Sequence, residues 1–202
     1  MISLDMEQIT IDLIDISRLA GKEILNVYEQ PFEITLKDDL SPLTDADRKS
    51  NDIITEKLSS LYPEIPILSE EGKDIEYSAR KDWSMFWLID PLDGTKEFIK
   101  RNGEFTVNIA LINMGVPIAG IVYAPTKNTF WYGTEKLGSF KMVDDENPKE
   151  ISVENDIHQA IKIVSSRSHP SPKLQSYLDR FSNHEIVNIG SSLKICLVAD
   201  GS

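Results

Sequence analysis

Carboxylates stand at the ends of two apolar runs in this sequence. Trp87-Leu88-Ile89 leads directly into Asp90-Pro91-Leu92-Asp93-Gly94-Thr95, and Ile67-Leu68-Ser69 leads into Glu70-Glu71-Gly72. Short apolar runs of this kind read as buried strands, so the acids sit where the strands emerge. Pro91 stiffens the turn, and Gly94 lets backbone N–H groups approach a ligand closely. Thr95 is expected as the N-cap of the helix that follows. Two carboxylates beside a helix start suit a hard divalent cation, and the helix N–H groups suit a phosphate. The Leu92 carbonyl is placed to face the same cation. If the two strands are neighbours, Glu70 comes close to Asp90. Three carboxylates so placed repel strongly unless cations separate them. Two Mg²⁺ ions roughly 4 Å apart would relieve that repulsion and supply a Lewis acid, an activated water and a leaving-group clamp.

Each piece also has a plainer reading. Asp-x-x-Asp-Gly serves in turns, and Glu70-Glu71 reads as a solvated loop. Asp47, three residues after Thr44, reads as a capping-box acid. The whole string, with an acidic strand end upstream, is less easily dismissed.

The elements that must hold these acids follow from periodicity. Ile9, Leu13, Ile16, Ala20, Ile24 and Val27 recur at steps of three and four, which predicts a helix from about Met6 to Tyr28, ended by Pro31. A second helix is predicted from Asp45, with Thr44 as N-cap, to Pro63. Strands are expected at Ile65–Leu68, Met85–Ile89, Phe105–Ile112, Pro117–Tyr123, Thr129–Tyr132 and Ser139–Met142. Phe105–Ala124 carries no charge, but Asn108, Asn113, Gly115, Pro117 and Gly120 interrupt it. It reads as two buried strands joined by a Gly-Val-Pro turn, not as a transmembrane segment.

The charged run from Asp144 to Glu150 is the expected boundary. It gives an N-terminal α+β domain over 1–148 and the beginning of a C-terminal α/β domain over 149–202. The latter reads as strand 161–165, helix 172–181, strand 186–188 and helix 191–199. About 50 residues is marginal for an independent core, so this second domain is expected to be incomplete.

Composition narrows the partners. The 202 residues are 41% hydrophobic and carry a formal net charge of −12. That disfavours a nucleic-acid polymer or an anionic membrane surface. A phosphate substrate then needs bound cations that invert the local field. The single cysteine, Cys196, excludes an internal disulfide and fits a reducing cytoplasm. No basic region precedes an apolar stretch at the N-terminus, so no signal peptide is expected.

The string Trp87–Thr95 resembles the first signature of the inositol monophosphatase superfamily. Its extension Lys96–Ala110 is similar to the bacterial 3′(2′),5′-bisphosphate nucleotidase branch. Leu68-Ser69-Glu70-Glu71, Ser41-Pro42-Leu43-Thr44, Ser165-Ser166-Arg167-Ser168-His169 and Gly190-Ser191-Ser192-Leu193-Lys194 fit that branch too. The resemblance covers nearly the whole chain. It implies a layered α-β-α-β-α sandwich of the sugar-phosphatase type. It also implies a phosphomonoesterase that uses two or three Mg²⁺ ions and metal-activated water to convert adenosine 3′,5′-bisphosphate to AMP and phosphate.

The resemblance further implies roles by position. Glu70, Asp90, the Leu92 carbonyl and Asp93 would hold the metals. Glu70, Thr95 and Asp47 would be catalytic, with the Thr95–Asp47 pair orienting and deprotonating the water. Substrate would meet Glu70, Leu92, Asp93, the N–H groups of Gly94 and Thr95, and His169 and Lys194 on the nucleotide side. Read alone, the last two are a surface histidine and a solvated helix lysine. In the superfamily Li⁺ inhibits by competing at a metal site, and a homodimer is common. A cytoplasmic setting is implied, with the inner-membrane surface as a peripheral location.

One departure stands out. The family carries a later Trp-Asp-x-Ala-Ala segment whose Asp completes the second metal site, and no such segment occurs in these 202 residues. The expectation is a chain that stops before it. Two rival readings follow: an inositol-phosphate or sugar-phosphate phosphatase on the same scaffold, and a non-catalytic metal- or nucleotide-binding fragment.

Overall fold

In the computed structural model the described residues are 4–37, 42–154, 161–168, 172–181 and 183–202. Ser41 and His169 lie outside them. Helix α1 (Met6–Tyr28) begins where the Asp5 carboxylate accepts from Glu7 N and Gln8 N. Strands β1 (Ile34–Leu36) and β2 (Pro42–Thr44) form an antiparallel pair. Thr44 then caps α2 (Asp45–Leu61). There follow β3 (Ile67–Ser69), the single turn α3 (Tyr77–Arg80), β4 (Met85–Asp93) and the short α4 (Thr95–Ile99). A meander completes the large sheet: β5 (Thr106–Asn113), β6 (Val116–Ala124), β7 (Thr129–Thr134), β8 (Gly138–Val143) and β9 (Lys149–Glu150). The last part holds β10 (Ile161–Ser166), α5 (Pro172–Leu178), β11 (His184–Ile189) and α6 (Leu193–Ala199).

The seven-stranded sheet runs β3-β4-β5-β6-β7-β8-β9. Only β3 and β4 pair in parallel; the others are antiparallel. Helices α1 and α2 cover one face. Ile9, Leu13, Ile16, Ala20 and Ile24 of α1 and Ile54 and Leu58 of α2 meet Trp87, Ile89, Val107, Ile109, Leu111 and Phe130 in one buried core. Each large side chain so buried contributes roughly 1.5–3 kcal/mol. Gly21 permits the close approach of α1, since a Cβ there would lie 2.4 Å from Tyr123 Cε1. The fold is therefore a mixed α+β one, a central mixed sheet flanked by helices.

One expectation needs correction. The turn between β5 and β6 is Met114-Gly115, with φ of 49° and 79°, not Gly-Val-Pro. Both central residues have positive φ, as a tight two-residue hairpin demands. Pro117 lies inside β6, beside a register shift between Leu111 and Ile112. Strand β9, within the charged run, pairs with β8 at the edge of the large sheet. The pair β10–β11 is parallel and forms a separate sheet. Helix α6 returns to the large sheet: Asp200 Oδ2 accepts from Trp131 Nε1 at 2.8 Å and Lys141 Nζ at 2.5 Å. Among the described residues no helix is long and apolar enough to cross a membrane.

Candidate active site

The parallel β3–β4 register aligns Ser69 with Ile89, and Glu70 N donates to Ile89 O at 3.0 Å. The two strands therefore end together, and Glu70 emerges beside Asp90. The Asp90 Oδ1 atom is buried with no hydrogen-bond partner. Burial, then the charges of Asp93 and Glu70, push its carboxyl up to about 8. A buried, unpartnered carboxylate oxygen crowded by two further carboxylates is what a hard cation compensates. The donor set, all oxygen, fits Mg²⁺.

Past Asp90 the strand breaks register with β5 until Asp93 pairs with Thr106. Pro91 has no N–H for the ladder, so a bulge forms. The freed Pro91 carbonyl accepts from the buried Ser50 Oγ of α2 at 2.7 Å. Gly94 follows at φ 97°, ψ 38°. A Cβ there would be 2.9 Å from the Glu104 carbonyl and 3.1 Å from Ser191 Cβ, so both conformation and space select glycine. Gly94, not Thr95, occupies the cap position, because the left-handed residue ends the bulge one position early. Thr95 is the first helical residue, and its hydroxyl is free to turn elsewhere.

That hydroxyl donates to Asp47 Oδ1 at 3.1 Å and also lies 3.4 Å from the Leu92 carbonyl. Asp47 is 1% exposed. Its other oxygen, Oδ2, accepts from Thr44 N at 2.8 Å and Thr44 Oγ1 at 2.7 Å. The plainer capping-box reading and the Thr95 contact thus hold together, one on each oxygen. Burial raises the Asp47 carboxyl, although its hydrogen bonds from Thr44 and Thr95 oppose the shift.

Glu70 and Asp93 are engaged by the protein itself. Lys37, at the end of β1, lies 3.1 Å from Glu70 Oε1 and 2.5 Å from Glu71 Oε1. Asp93 Oδ2 accepts from Ser192 N at 2.5 Å. Among the described residues no three His, Cys, Asp or Glu side chains already converge on one point as metal ligands. Glu70, Asp90 and Asp93 share one neighbourhood, close enough that the charges of Asp93 and Glu70 both act on Asp90.

A cleft of about 460 Å³ is lined by Glu70, Asp93, Gly94, Thr95, Lys194 and the Gly190-Ser191-Ser192 turn. Lys194 Nζ donates to Ser191 O at 2.5 Å. His169 lies outside the described residues. A larger hollow of about 980 Å³ runs over the uncovered sheet face past Ala110, Gly120 and Trp131 to Asp90, between mainly apolar walls. Sequence reasoning missed Lys37, Ser50, Glu104 and Ser192. Glu104 and Ser192 lay inside strings singled out for their resemblance; Lys37 and Ser50 carried no local signal.

A family model described as the inositol monophosphatase family matches residues 5–202. The 3′(2′),5′-bisphosphate nucleotidase CysQ of Salmonella typhimurium is 46% identical over 188 residues, covering 92% of this chain and 74% of that protein. The CysQ of Escherichia coli K12 is 45% identical over the same shares. The chain spans about three quarters of these relatives' length. Among solved structures, CysQ from Bacteroides thetaiotaomicron superposes with a TM-score of 0.83 at 38% identity, over 98% of this chain and 78% of that one. An IMPase/NADP phosphatase solved with Mg²⁺ and phosphate gives 0.78 at 18% identity, over 97% and 72%, a likeness of fold alone. Matched by a family model along almost its entire length, this chain belongs to the inositol monophosphatase family.

Proposed function

We propose that this protein is a Mg²⁺-dependent 3′(2′),5′-bisphosphate nucleotidase that converts adenosine 3′,5′-bisphosphate and water to AMP and phosphate. The observation that carries the cation reading is Asp90, its buried oxygen unpartnered beside two acids. The nucleotide reading is supported by the relatives named for that activity. Glu70, Asp90, the Leu92 carbonyl and Asp93 would hold two or three Mg²⁺ ions. When bound, Mg²⁺ supplies a Lewis acid that activates water and stabilises the leaving oxygen.

The chain's own groups handle the proton and the phosphate. Thr95 gives its hydroxyl proton to a hydrogen bond with Asp47 Oδ1, leaving its lone pairs to orient a water. Asp47, made more basic by burial and fixed by Thr44, accepts the proton drawn through Thr95. Gly94 and Thr95, where α4 begins, would donate N–H groups to phosphate oxygens. Cleavage falls between phosphorus and the ribose oxygen. Lys194 would face the nucleotide's second charged group, and His169 would also help recognise the nucleotide.

In this reading residues 1–148 carry the cation site and 149–202 supply Lys194. A homodimer and a cytoplasmic setting belong to the same proposal. Cys196, the one cysteine, is buried with its thiol pushed up to about 12.

The test is phosphate release, with Mg²⁺, from adenosine 3′,5′-bisphosphate and from inositol 1-phosphate. A clear preference for the nucleotide is expected. Preference for the inositol ester overturns the substrate. Binding of Mg²⁺ and nucleotide without hydrolysis of either overturns the enzymatic reading in favour of a binding protein.

A further inference from the structure

The loop between α4 and β5 holds a carboxylate that the proposed chemistry leaves unused. Glu104 accepts from Arg167 Nε and Nη2, each at 2.7 Å, and from Gly190 N at 2.8 Å. Arg167 Nη2 also donates to Asn188 O at 2.5 Å. One side chain therefore gathers the ends of both strands of the small sheet, β10 through Arg167 and β11 through Asn188 and Gly190. Bidentate, charge-assisted contacts of this kind are strong and orienting. Burial pushes the Glu104 carboxyl up, but the Arg167 and Gly190 hydrogen bonds bring it below its ordinary value, so the anion persists.

The same residue presses on the other half of the site. Its main-chain oxygen would lie 2.9 Å from a Cβ on Gly94 and 3.2 Å from one on Gly190. Beyond it, Thr106 Oγ1 lies 2.9 Å from Ser191 Oγ and 2.8 Å from Ser192 Oγ, and Ser192 N donates to Asp93. Ser191 adopts φ 56°. A left-handed serine persists only where its surroundings hold it there. Lys194 follows this held turn, its Nζ donating to Ser191 O at 2.5 Å, and lines the same cleft as Asp93, Gly94 and Thr95.

We infer that Glu104 is a positioning residue for substrate choice: by clamping Arg167 and Gly190 it fixes the Gly190–Lys194 segment over the Asp93–Thr95 turn, so that a nucleotide with a second phosphate meets Lys194 when its first lies on the turn. This rests on the functional reading above. Glu104 itself touches neither phosphate. Its loss loosens one wall of the cleft and leaves the cation-holding wall in place, so the penalty falls on substrates that span both.

The experiment is calorimetric titration of the 202-residue protein, with Ca²⁺ replacing Mg²⁺ to suppress turnover, using adenosine 3′,5′-bisphosphate and adenosine 3′-monophosphate. Glu104→Ala is expected to weaken the bisphosphate about tenfold and the monophosphate by less than about twofold. Glu104→Gln keeps an acceptor for Gly190 N and should lose about threefold for the bisphosphate alone. Arg167→Met, at an exposed position, should behave likewise and serves if the alanine variant does not fold. Equal losses for both nucleotides, or no loss for the bisphosphate in any of the three, overturn the inference. A wild-type protein that binds neither nucleotide overturns the functional reading, and the inference with it.

Discussion

An aspartate oxygen buried without a partner is costly to ionise, and Asp90 illustrates the consequence. Its carboxyl moves from 3.8 to about 8 through burial and the neighbouring acids. A raised folded value means that protonation favours the native state. Without metal, that contribution is complete below the unfolded value and is lost as pH rises through the folded one. Asp47 and Glu71 shift in the same direction, also first through burial. The Tm in EDTA is therefore expected to fall between pH about 5 and about 8.5, and Mg²⁺ to restore it at the upper pH. A Tm in EDTA that rises over this range contradicts the assignment. Thr95 supports a second prediction. Thr95→Ala removes the hydroxyl that donates to Asp47, so turnover should drop by about 10²–10⁴-fold. Mg²⁺ affinity by calorimetry should stay nearly unchanged, and an equal collapse of both would make Thr95 a structural residue. The acids were legible in the sequence because strand ends expose them. Lys37 was not, since its contact with Glu70 spans 33 positions and depends on the β1–β2 hairpin.

At the scale of elements, the site is a strand that stops being regular at the right place. Pro91 forces β4 to bulge, Ser50 of α2 pins the released carbonyl, and Gly94 turns the chain into α4. Gly94→Ala places a Cβ against the Glu104 carbonyl in a left-handed backbone. The expected cost is about 2 kcal/mol, a Tm drop of roughly 4–8 °C in a chain of this size. A thermal scan showing no loss would mean the turn is not constrained as described. Helix α1 was readable at both ends and α2 at its start, with its end two residues short of Pro63, because an apolar stripe and strong caps, Asp5 and Thr44, mark them. The buried strands were readable as apolar runs, within a few residues at their ends. The fully exposed three-residue β1, the two-residue β9 and the single turn α3 carry no periodicity and were not. The N-cap at Thr95 was misplaced for a related reason. Composition favours threonine as a cap, whereas the positive φ at Gly94 comes from the bulge, a tertiary effect.

The molecule as a whole carries a formal net charge of −12, yet its proposed substrate is polyanionic. Its affinity for phosphate must come from cations gathered where β3 and β4 end. Among the described residues, Lys37 supplies the positive charge bonded directly to Glu70 and Glu71, and Lys194 supplies one that lines the cleft. The central claim is that Asp90 recruits the divalent charge that makes phosphate chemistry possible in an acidic protein. The most direct measurement sets Mg²⁺ titration beside phosphate release from adenosine 3′,5′-bisphosphate, for the wild type and Asp90→Asn. The wild type should bind Mg²⁺ and release phosphate only in its presence. Asp90→Asn should bind Mg²⁺ far more weakly and lose activity by about 10³-fold or more. Normal Mg²⁺ binding and turnover in Asp90→Asn would contradict the account.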